Sequence, residues 1–148
     1  MKNNDATIAE NRRARFDYEI EDTFEAGIEL RGYEVKSVKA GHFQIAGARV
    51  LIRGGEAWLV NSHVPPYQPK NMPTDYAEDR ARRLLLMKDE IKAITGALHE
   101  KGRFLIPLRA YLKRGFIKLE LGLGQTRKKS DKREVLKKRA HVREMRER

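Results

Sequence analysis

The sequence predicts a mainly β fold with flanking helices, in which short antiparallel strands close into a barrel that is followed by a basic tail. Two glycine-containing turns each separate a pair of apolar stretches, as in β-hairpins. Apolar and polar residues alternate in several of these stretches. Residues 127–148 carry too few large apolar side chains to build a core. The length of 148 residues fits one domain.

The first strand is predicted near the N-terminus. Aromatic or aliphatic residues alternate with acidic ones from Phe16 to Glu21, which is the period of a strand with one buried face. The strand can continue to Leu30, with a bend or bulge at Gly27. Residues 31–41 lack strict alternation and end on glycine, so they predict a short helix.

The middle of the chain predicts a hairpin and then a loop. Two apolar runs within residues 49–61 flank Gly54 and Gly55, a pair that tolerates the positive φ angles of a tight turn. Residues 64–74 contain four prolines and no apolar period, which predicts a loop. Arginines at positions 80, 82 and 83 are expected to add scattered positive charge around this loop.

A helix and a second hairpin complete the body. Residues 88–101 have acidic side chains in the first turn, apolar ones three and four positions apart, and Gly102 as a C-cap. Residues 104–112 and 116–123 form the arms of the second hairpin, and alternate residues of the second arm are apolar.

These elements sum to five or six antiparallel strands with a helix between the two hairpins. Such strands avoid exposed edges by closing, and an OB-like barrel is one solution. OB barrels commonly carry RNA on one outer face, although fold alone does not establish function. We divide the chain into a flexible N-terminus (1–7), an OB-like RNA-binding barrel (8–124) and a basic C-terminal tail (125–148) that is disordered or helical.

The charge is large and unevenly distributed. The net charge is +11, and residues 127–148 alone hold 11 basic and 4 acidic residues. Such a field attracts polyanions, either nucleic acid or an anionic membrane surface. A solvated tail that only aids solubility is the plain alternative, but one-sided charge favours phosphate contact. The sparse apolar residues of the tail argue against a membrane.

Other classes of protein find little support. Cysteine is absent, and the four histidines show no spacing typical of metal ligands. Gly54-Gly55 lacks the Lys-Ser/Thr of a phosphate-binding loop, and Glu25 with Glu34 is a weak acid–base pair. We therefore expect no catalytic residue, no metal and no cofactor. No apolar stretch is long enough for a membrane span, so a soluble cytoplasmic protein is expected.

The aromatic residues can lie in the core or stack on RNA bases. Four of them lie within predicted strands and are expected in the core, whereas Tyr67 follows two prolines and is expected to be exposed. The four strand residues are Trp58, Phe104, Tyr111 and Phe116.

Several ordered blocks of the chain closely resemble the SsrA-binding protein family, also called small protein B. The blocks are NRRARFDYEI (11–20), FEAGI (24–28), GYEVKSVKAG (32–41), PY (66–67), RRLLL (82–86) and DKR (131–133). The resemblance implies an OB-like barrel and a non-catalytic protein that binds the tRNA-like domain of transfer-messenger RNA. It also implies delivery of that RNA to stalled ribosomes for trans-translation, with elongation factor Tu acting alongside. Nothing in the sequence indicates an obligate dimer, so we expect a monomer.

The resemblance also assigns RNA-binding residues in the body. These are Asn11, Glu25, Leu85 and Lys118, and two cations within the matching blocks, Arg13 and Lys36, are predicted to bind RNA beside them. Without the resemblance, Glu25 would be an exposed strand residue and Leu85 a core residue. Lys118 would form an ion pair with Glu120, and Asn11 would be a flexible lead-in or a cap.

In the family the tail enters the decoding centre and the mRNA channel of the ribosome as a helix. The one-sided charge of the tail predicts nucleic-acid contact for Arg127, Lys128, Lys129, Lys132 and Arg133. The resemblance assigns the block Asp131-Lys132-Arg133 and His141 to contact with the ribosome. His141 stands where other members carry a bulky residue suited to stacking. Thr126 stands where many members have glycine, which leaves its role open. The alternatives are a general OB-type RNA binder, an RNA-processing enzyme and an anionic-membrane binder.

Overall fold

The computed structural model describes residues 6–147, so most of the predicted flexible N-terminus and Arg148 lie outside the described residues. These residues form seven strands and four α-helices. In chain order they are β1 (Ala6–Glu10), α1 (Ala14–Asp17), β2 (Tyr18–Ile28), α2 (Gly32–Lys39), β3 (Arg49–Arg53), β4 (Glu56–Val60), β5 (Arg82–Leu85), α3 (Lys88–Leu98), β6 (Arg103–Lys113), β7 (Phe116–Thr126) and α4 (Lys129–Glu147). A short 3₁₀ turn, Pro69–Asn71, interrupts the loop between β4 and β5.

All pairings between these strands are antiparallel. The order across the sheet is β1-β6-β3-β4-β5-β2-β7, and β6 also pairs with β7. The two longest strand pairings join β7 to β2 on one side and to β6 on the other. The mainly β architecture with flanking helices is therefore confirmed.

Both predicted hairpins are confirmed, and their turns use left-handed backbone conformations. Gly54 and Gly55 join β3 to β4 with φ angles of 61° and 75°. Arg114 and Gly115 join β6 to β7 with φ angles of 52° and 83°. Two consecutive residues with positive φ match the right-handed twist of the paired strands, so these sequences fix the register of both hairpins.

The inward-facing residues of the strands form the core. Leu59, Leu105, Leu119 and Leu121 are fully buried, and the alternation in the second arm of the second hairpin predicts this for Leu119 and Leu121. Ile94 of α3 is also fully buried and packs into the same cluster. The helix predicted over 88–101 is therefore an amphipathic cover on the sheet, although it ends at Leu98 and Gly102 lies in the following turn.

The structure corrects several local predictions. Phe16 lies in α1 and not in a strand, because one helical turn precedes β2. The irregular register in β2 falls between Ile20 and Asp22 and not at Gly27, which pairs regularly. Strand β1 was not predicted, because its weak apolar pattern is held by pairing with β6.

Strand β5 was also missed, since the arginines at positions 80–83 were expected to be surface charges. Arg82 is instead completely buried, and its guanidinium is bonded to Glu34. The short helix predicted at 31–41 is confirmed as α2, and the tail is helical as α4. Within the described residues, no helix has the length and apolar character needed to cross a membrane.

Candidate nucleic-acid interface

Three of the residues assigned to RNA binding line one surface groove. The groove has a volume of about 790 Å³ and lies across β2, β5 and β7, beside the start of α3. Glu25, Leu85 and Lys118 all contribute to it. The strand register explains this convergence, because Gly27 is paired with Leu85 on one side and with Lys118 on the other. Glu25 is two residues from Gly27, so it points to the same face of β2.

Gly27 gives Leu85 its position in the groove. A Cβ atom at Gly27 would lie 3.3 Å from the Cβ atom of Leu85, so a larger residue there would push the leucine aside. Leu85 is 48% exposed and forms part of the groove wall. The reading of Leu85 as a core residue is therefore wrong, and an exposed leucine is available for contact with a partner.

The carboxylate of Glu25 is held by two residues of β6. The Tyr111 hydroxyl donates a hydrogen bond to it, and Lys113 Nζ lies 3.2 Å from both of its oxygens. The Tyr111 hydrogen bond lowers the pKa of Glu25 and outweighs partial burial, with Lys113 and then Lys118 lowering it further. Glu25 is therefore an ionised, oriented acceptor at neutral pH, which suits hydrogen bonds from base amino groups or a 2′-hydroxyl.

The pKa of Tyr111 shifts in the opposite direction to that of Glu25. Its side chain is 3% exposed, and burial together with the Glu25 carboxylate raises the pKa of the phenol. The phenol therefore stays protonated and remains a donor to Glu25. Lys118 lies near enough to Glu25 to lower its pKa, and Glu120 pairs across the sheet with Arg109 at 3.6 Å. These contacts place a carboxylate and two lysines around one point of the groove.

The other three assigned residues of the body lie outside this groove. Asn11 follows β1, and its side-chain amide donates a hydrogen bond to the Pro107 carbonyl at 3.0 Å. Asn11 is partly buried and anchored, so it is not a flexible lead-in. Arg13 is exposed, and its guanidinium lies 5.1 Å from the ring centroid of Phe16. Lys36 is exposed on α2.

The start of the tail is attached to α1. The Arg127 backbone N–H donates to the Asp17 carbonyl at 2.9 Å, and Lys132 Nζ lies 3.3 Å from Asp17 Oδ1. The cationic groups of Lys132 and Arg139 lie 5.6 and 5.8 Å from the Phe16 ring centroid. These contacts fix the direction in which α4 leaves the body.

The remaining tail residues assigned from the sequence are mostly exposed. Lys128, Arg133 and His141 have exposed side chains, while that of Lys129 lies outside the described ones. Asp131 accepts a hydrogen bond from the Lys128 backbone N–H at 3.3 Å, so it caps the first turn of α4. Thr126 ends β7 opposite Tyr18.

Sequence reasoning missed part of this interface. Tyr111 was correctly predicted in the core, but its bond to Glu25 crosses 86 residues and leaves no local pattern. Phe116 was expected in the core, yet it is 70% exposed at the start of β7, next to the β6–β7 turn. It lines a cleft of about 240 Å³ together with Leu85 and Lys118. The prediction for Tyr67 is confirmed, since it is 49% exposed.

Glu25 and Glu34 do not form an acid–base pair. Glu25 is bonded to β6, whereas Glu34 is buried and bonded to Arg82 of β5. Within residues 6–147, no three side chains of the types that bind metals form a cluster able to hold an ion.

Comparisons with known proteins give one consistent match. The family model described as "SmpB protein" matches residues 8–148. An SsrA-binding protein of Nostoc punctiforme is 46% identical over 138 residues, which are 93% of this chain and 89% of that protein. An SsrA-binding protein of a Synechocystis strain is 45% identical, with coverages of 93% and 90%.

A solved structure agrees with the sequence relatives. It is described as "tmRNA-SmpB: a journey to the center of the bacterial ribosome", and a chain in it superposes with a TM-score of 0.67. The two chains are 43% identical, and the match covers 82% of this chain and 85% of the other.

Proposed function

This chain belongs to the SmpB protein family, and on that premise we propose that it binds transfer-messenger RNA and serves trans-translation, the rescue of stalled ribosomes. The observation that carries the proposal is the convergence of Glu25, Leu85 and Lys118 in one groove. These residues come from three strands that are distant in sequence. They line a surface groove and do not contribute to packing of the core, so their convergence indicates a binding site.

The body groove binds the tRNA-like domain of the RNA. Lys118 and Lys113 supply positive charge for phosphates, while Glu25 accepts hydrogen bonds from base edges or a 2′-hydroxyl. Leu85 contributes an apolar contact that gains affinity only when water is displaced. A carboxylate within a basic groove disfavours bulk phosphate, so the combination selects a particular RNA surface.

Asn11, Arg13 and Lys36 extend the contact surface of the body beyond this groove. Arg13 and Lys36 are exposed cations, and each adds a phosphate contact. The anchored amide of Asn11 retains its carbonyl oxygen as an acceptor for a nucleotide donor.

The tail reaches the small-subunit decoding centre and the mRNA channel of the ribosome. The helical form of α4 and the excess of cations in residues 127–148 support this role. Arg127, Lys128, Lys129, Lys132 and Arg133 neutralise ribosomal phosphates, Asp131 caps the helix, and His141 stacks on a base.

We further propose that the sheet of residues 8–124 is an OB-like barrel, supported by the chain of pairings that runs from β6 through β3, β4, β5, β2 and β7 back to β6. The basic tail follows this barrel, and α4 (Lys129–Glu147) is its helical part. The protein acts in the cytoplasm as a monomer without catalytic activity, beside elongation factor Tu.

Binding to transfer-messenger RNA in the presence of excess bulk tRNA tests this proposal. The full chain, the Glu25→Ala variant and a chain that ends at Lys128 are compared at moderate salt. We expect selective binding by the full chain and the shortened chain, and weaker binding by Glu25→Ala. If bulk tRNA competes equally and binding disappears with the tail, the protein is a general charge-driven RNA binder and the proposal fails.

A further inference from the structure

A second groove lies on the outer face of the β3–β4 hairpin. Its volume is about 330 Å³, and it shares no lining residue with the groove that contains Glu25. Leu51, Trp58 and Val60 form its floor, and Leu51 and Trp58 are directly paired across the two strands. All three side chains are half-buried. Trp58 was predicted in the core, but it faces outward, so an aromatic face is available at this surface.

Two arginines flank the apolar floor. Alternate residues of a strand point to the same face, so Arg49 and Arg53 lie on either side of Leu51 on β3. Both are exposed, and neither forms an ion pair with a carboxylate in the part of the chain that the structure describes. Glu56 stands opposite Arg53, but its carboxylate lies 3.4 Å from Nε of Arg83.

We propose that this groove binds one unpaired nucleotide of a single-stranded RNA segment. The base stacks on Trp58 and contacts Leu51, while Arg49 and Arg53 contact the phosphates on its two sides. Aromatic faces flanked by cations bind single-stranded nucleic acid in this way, because every base presents a π-face. An acidic peptide would use the arginines and leave the apolar floor unfilled. Duplex RNA keeps its bases stacked inside, so it could not fill the groove.

The position of the groove suits an RNA that continues from the body groove. Leu51, Trp58 and Arg83 form one row across β3, β4 and β5, and Leu85 follows on the same face of β5. The inference nevertheless stands on the groove itself and does not require the proposed role in trans-translation.

The fluorescence of Trp58 tests the proposal directly, because the chain contains a single tryptophan. The full chain is titrated with a six-nucleotide single-stranded RNA, and separately with a duplex of equal charge. We expect saturable quenching by the single strand and little by the duplex. Replacing both arginines, Arg49→Ala with Arg53→Ala, should shift the midpoint of the titration to higher RNA concentration. The slope of log affinity against log salt concentration should become shallower by about 0.7 for each arginine removed.

A matched pair of surface cations serves as the control. Lys92→Ala with Lys101→Ala also removes two positive charges, one on α3 and one shortly after it. The quenching midpoint should remain unchanged in this variant. Photocrosslinking with a 4-thiouridine oligonucleotide gives a second readout on the unmodified chain. Crosslinks to peptides within 49–60 are expected in addition to crosslinks in the basic tail.

Three results would overturn the proposal. The first is the absence of quenching at RNA concentrations that crosslink the tail. The second is quenching that the arginine pair does not affect. The third is Trp58 emission that depends on protein concentration without RNA, which would identify a second copy of the chain as the occupant. Failure here is separable from failure of the proposed function, since Glu25→Ala should leave the quenching intact.

Discussion

Arg82 donates a hydrogen bond from Nη2 to Oε2 of Glu34 over 2.7 Å, and neither side chain is exposed to solvent. Arg80 bonds to the same carboxylate, and the Arg31 backbone N–H donates to its Oε1 at 2.8 Å. The second nitrogen of the Arg82 fork donates to the Ser62 hydroxyl at 3.2 Å. The carboxylate therefore joins α2 to β5 and lies behind the strand that presents Leu85 to the candidate RNA groove.

Loss of one partner from this pair should destabilise the protein severely. Arg82→Ala leaves the Glu34 carboxylate buried with fewer donors, and such losses cost roughly 3–5 kcal/mol. Urea unfolding at neutral pH measures the change in the free energy of unfolding. The adjacent Arg83→Ala is the matched control, because Arg83 is 41% exposed and pairs with partly exposed glutamates. Its expected cost is at most about 1 kcal/mol, and equal costs for both variants would contradict the prediction.

Acid should weaken the protein through Glu34. Burial raises the pKa of this carboxyl, but the hydrogen bonds from Arg80, the Arg31 backbone and Arg82 outweigh burial. They lower the pKa from 4.5 to about 2. Because the folded-state pKa is the lower one, the stabilisation is complete above about pH 4.5 and is lost as the pH falls towards 2. A difference of this size corresponds to roughly 3 kcal/mol.

Glu34→Gln should remove this part of the pH dependence. The free energies of unfolding of the two proteins are compared by urea titration at pH 7, 4 and 3. We expect the glutamine variant to be much less stable at pH 7 and the gap to shrink as the pH falls. A gap that stays constant across this range would show that Glu34 does not titrate as the geometry predicts.

The Glu34–Arg82 pair also shows where sequence analysis stops. The hairpins, α2 and α3 were predictable, because glycine turns, alternation and helical spacing are local signals. Strand β5 was not, since Arg82 and Leu84 face inward while Arg83 and Leu85 face outward. A buried arginine reverses the usual pattern, and its partner lies 48 residues away.

The residues of the candidate site could not be brought together by local sequence patterns either. Only the family resemblance brought Glu25, Leu85 and Lys118 together before the structure did, because three separate strands supply them. The hydrogen bond from Tyr111 and the clearance at Gly27 are consequences of register, which sequence patterns do not fix over such distances.

Tyr111→Phe should weaken RNA binding without removing any group that touches the RNA. The change deletes the hydrogen bond to Glu25 and keeps the buried ring. The pKa of Glu25 should rise towards its ordinary value, which carboxyl NMR measures. Affinity for transfer-messenger RNA should fall about fivefold, the equivalent of about 1 kcal/mol for one hydrogen bond. Tyr67→Phe, at an exposed tyrosine, should change neither quantity, and unchanged affinity in Tyr111→Phe would argue against a role for the orientation of Glu25.

Two glycine-to-alanine substitutions should have opposite effects on stability. In β7, a Cβ atom at Gly124 would lie 2.3 Å from the Glu19 carbonyl oxygen, so the paired backbones of β2 and β7 must separate. We expect Gly124→Ala to cost about 1–3 kcal/mol. Gly96 lies in α3 with no atom within 4 Å of the added carbon. Gly96→Ala should therefore raise stability by about 0.5–1 kcal/mol. Thermal unfolding compares the two, and a shift in the same direction for both would contradict this reading.

The ion pair between Asp17 and Lys132 should decide how firmly the tail helix is attached. So charged a helix is marginal by itself, and α4 meets the body at α1 through this pair and the Phe16 ring. Asp17→Asn should speed amide hydrogen exchange in the first turns of α4 by roughly twofold, since partly exposed pairs contribute about 0.2–1 kcal/mol. Lys132→Gln should give a similar change. Asp17→Asn also removes the pair with Arg13, and Lys132→Gln also removes the contact with Phe16. Because both variants remove the shared Asp17–Lys132 contact, the double variant should speed exchange by less than the two single effects combined.

Salt and a neighbouring carboxylate provide the controls for this tail contact. Glu19→Gln removes an exposed acid two residues after Asp17 in the chain, and it should leave exchange in α4 unchanged. In the parent chain, raising the salt to about 1 M shortens the screening length to roughly 3 Å and should bring exchange close to that of Asp17→Asn. Additive effects in the double variant would mean that the two residues act on α4 separately. The cations around Phe16, and not the ion pair, would then hold the tail against α1.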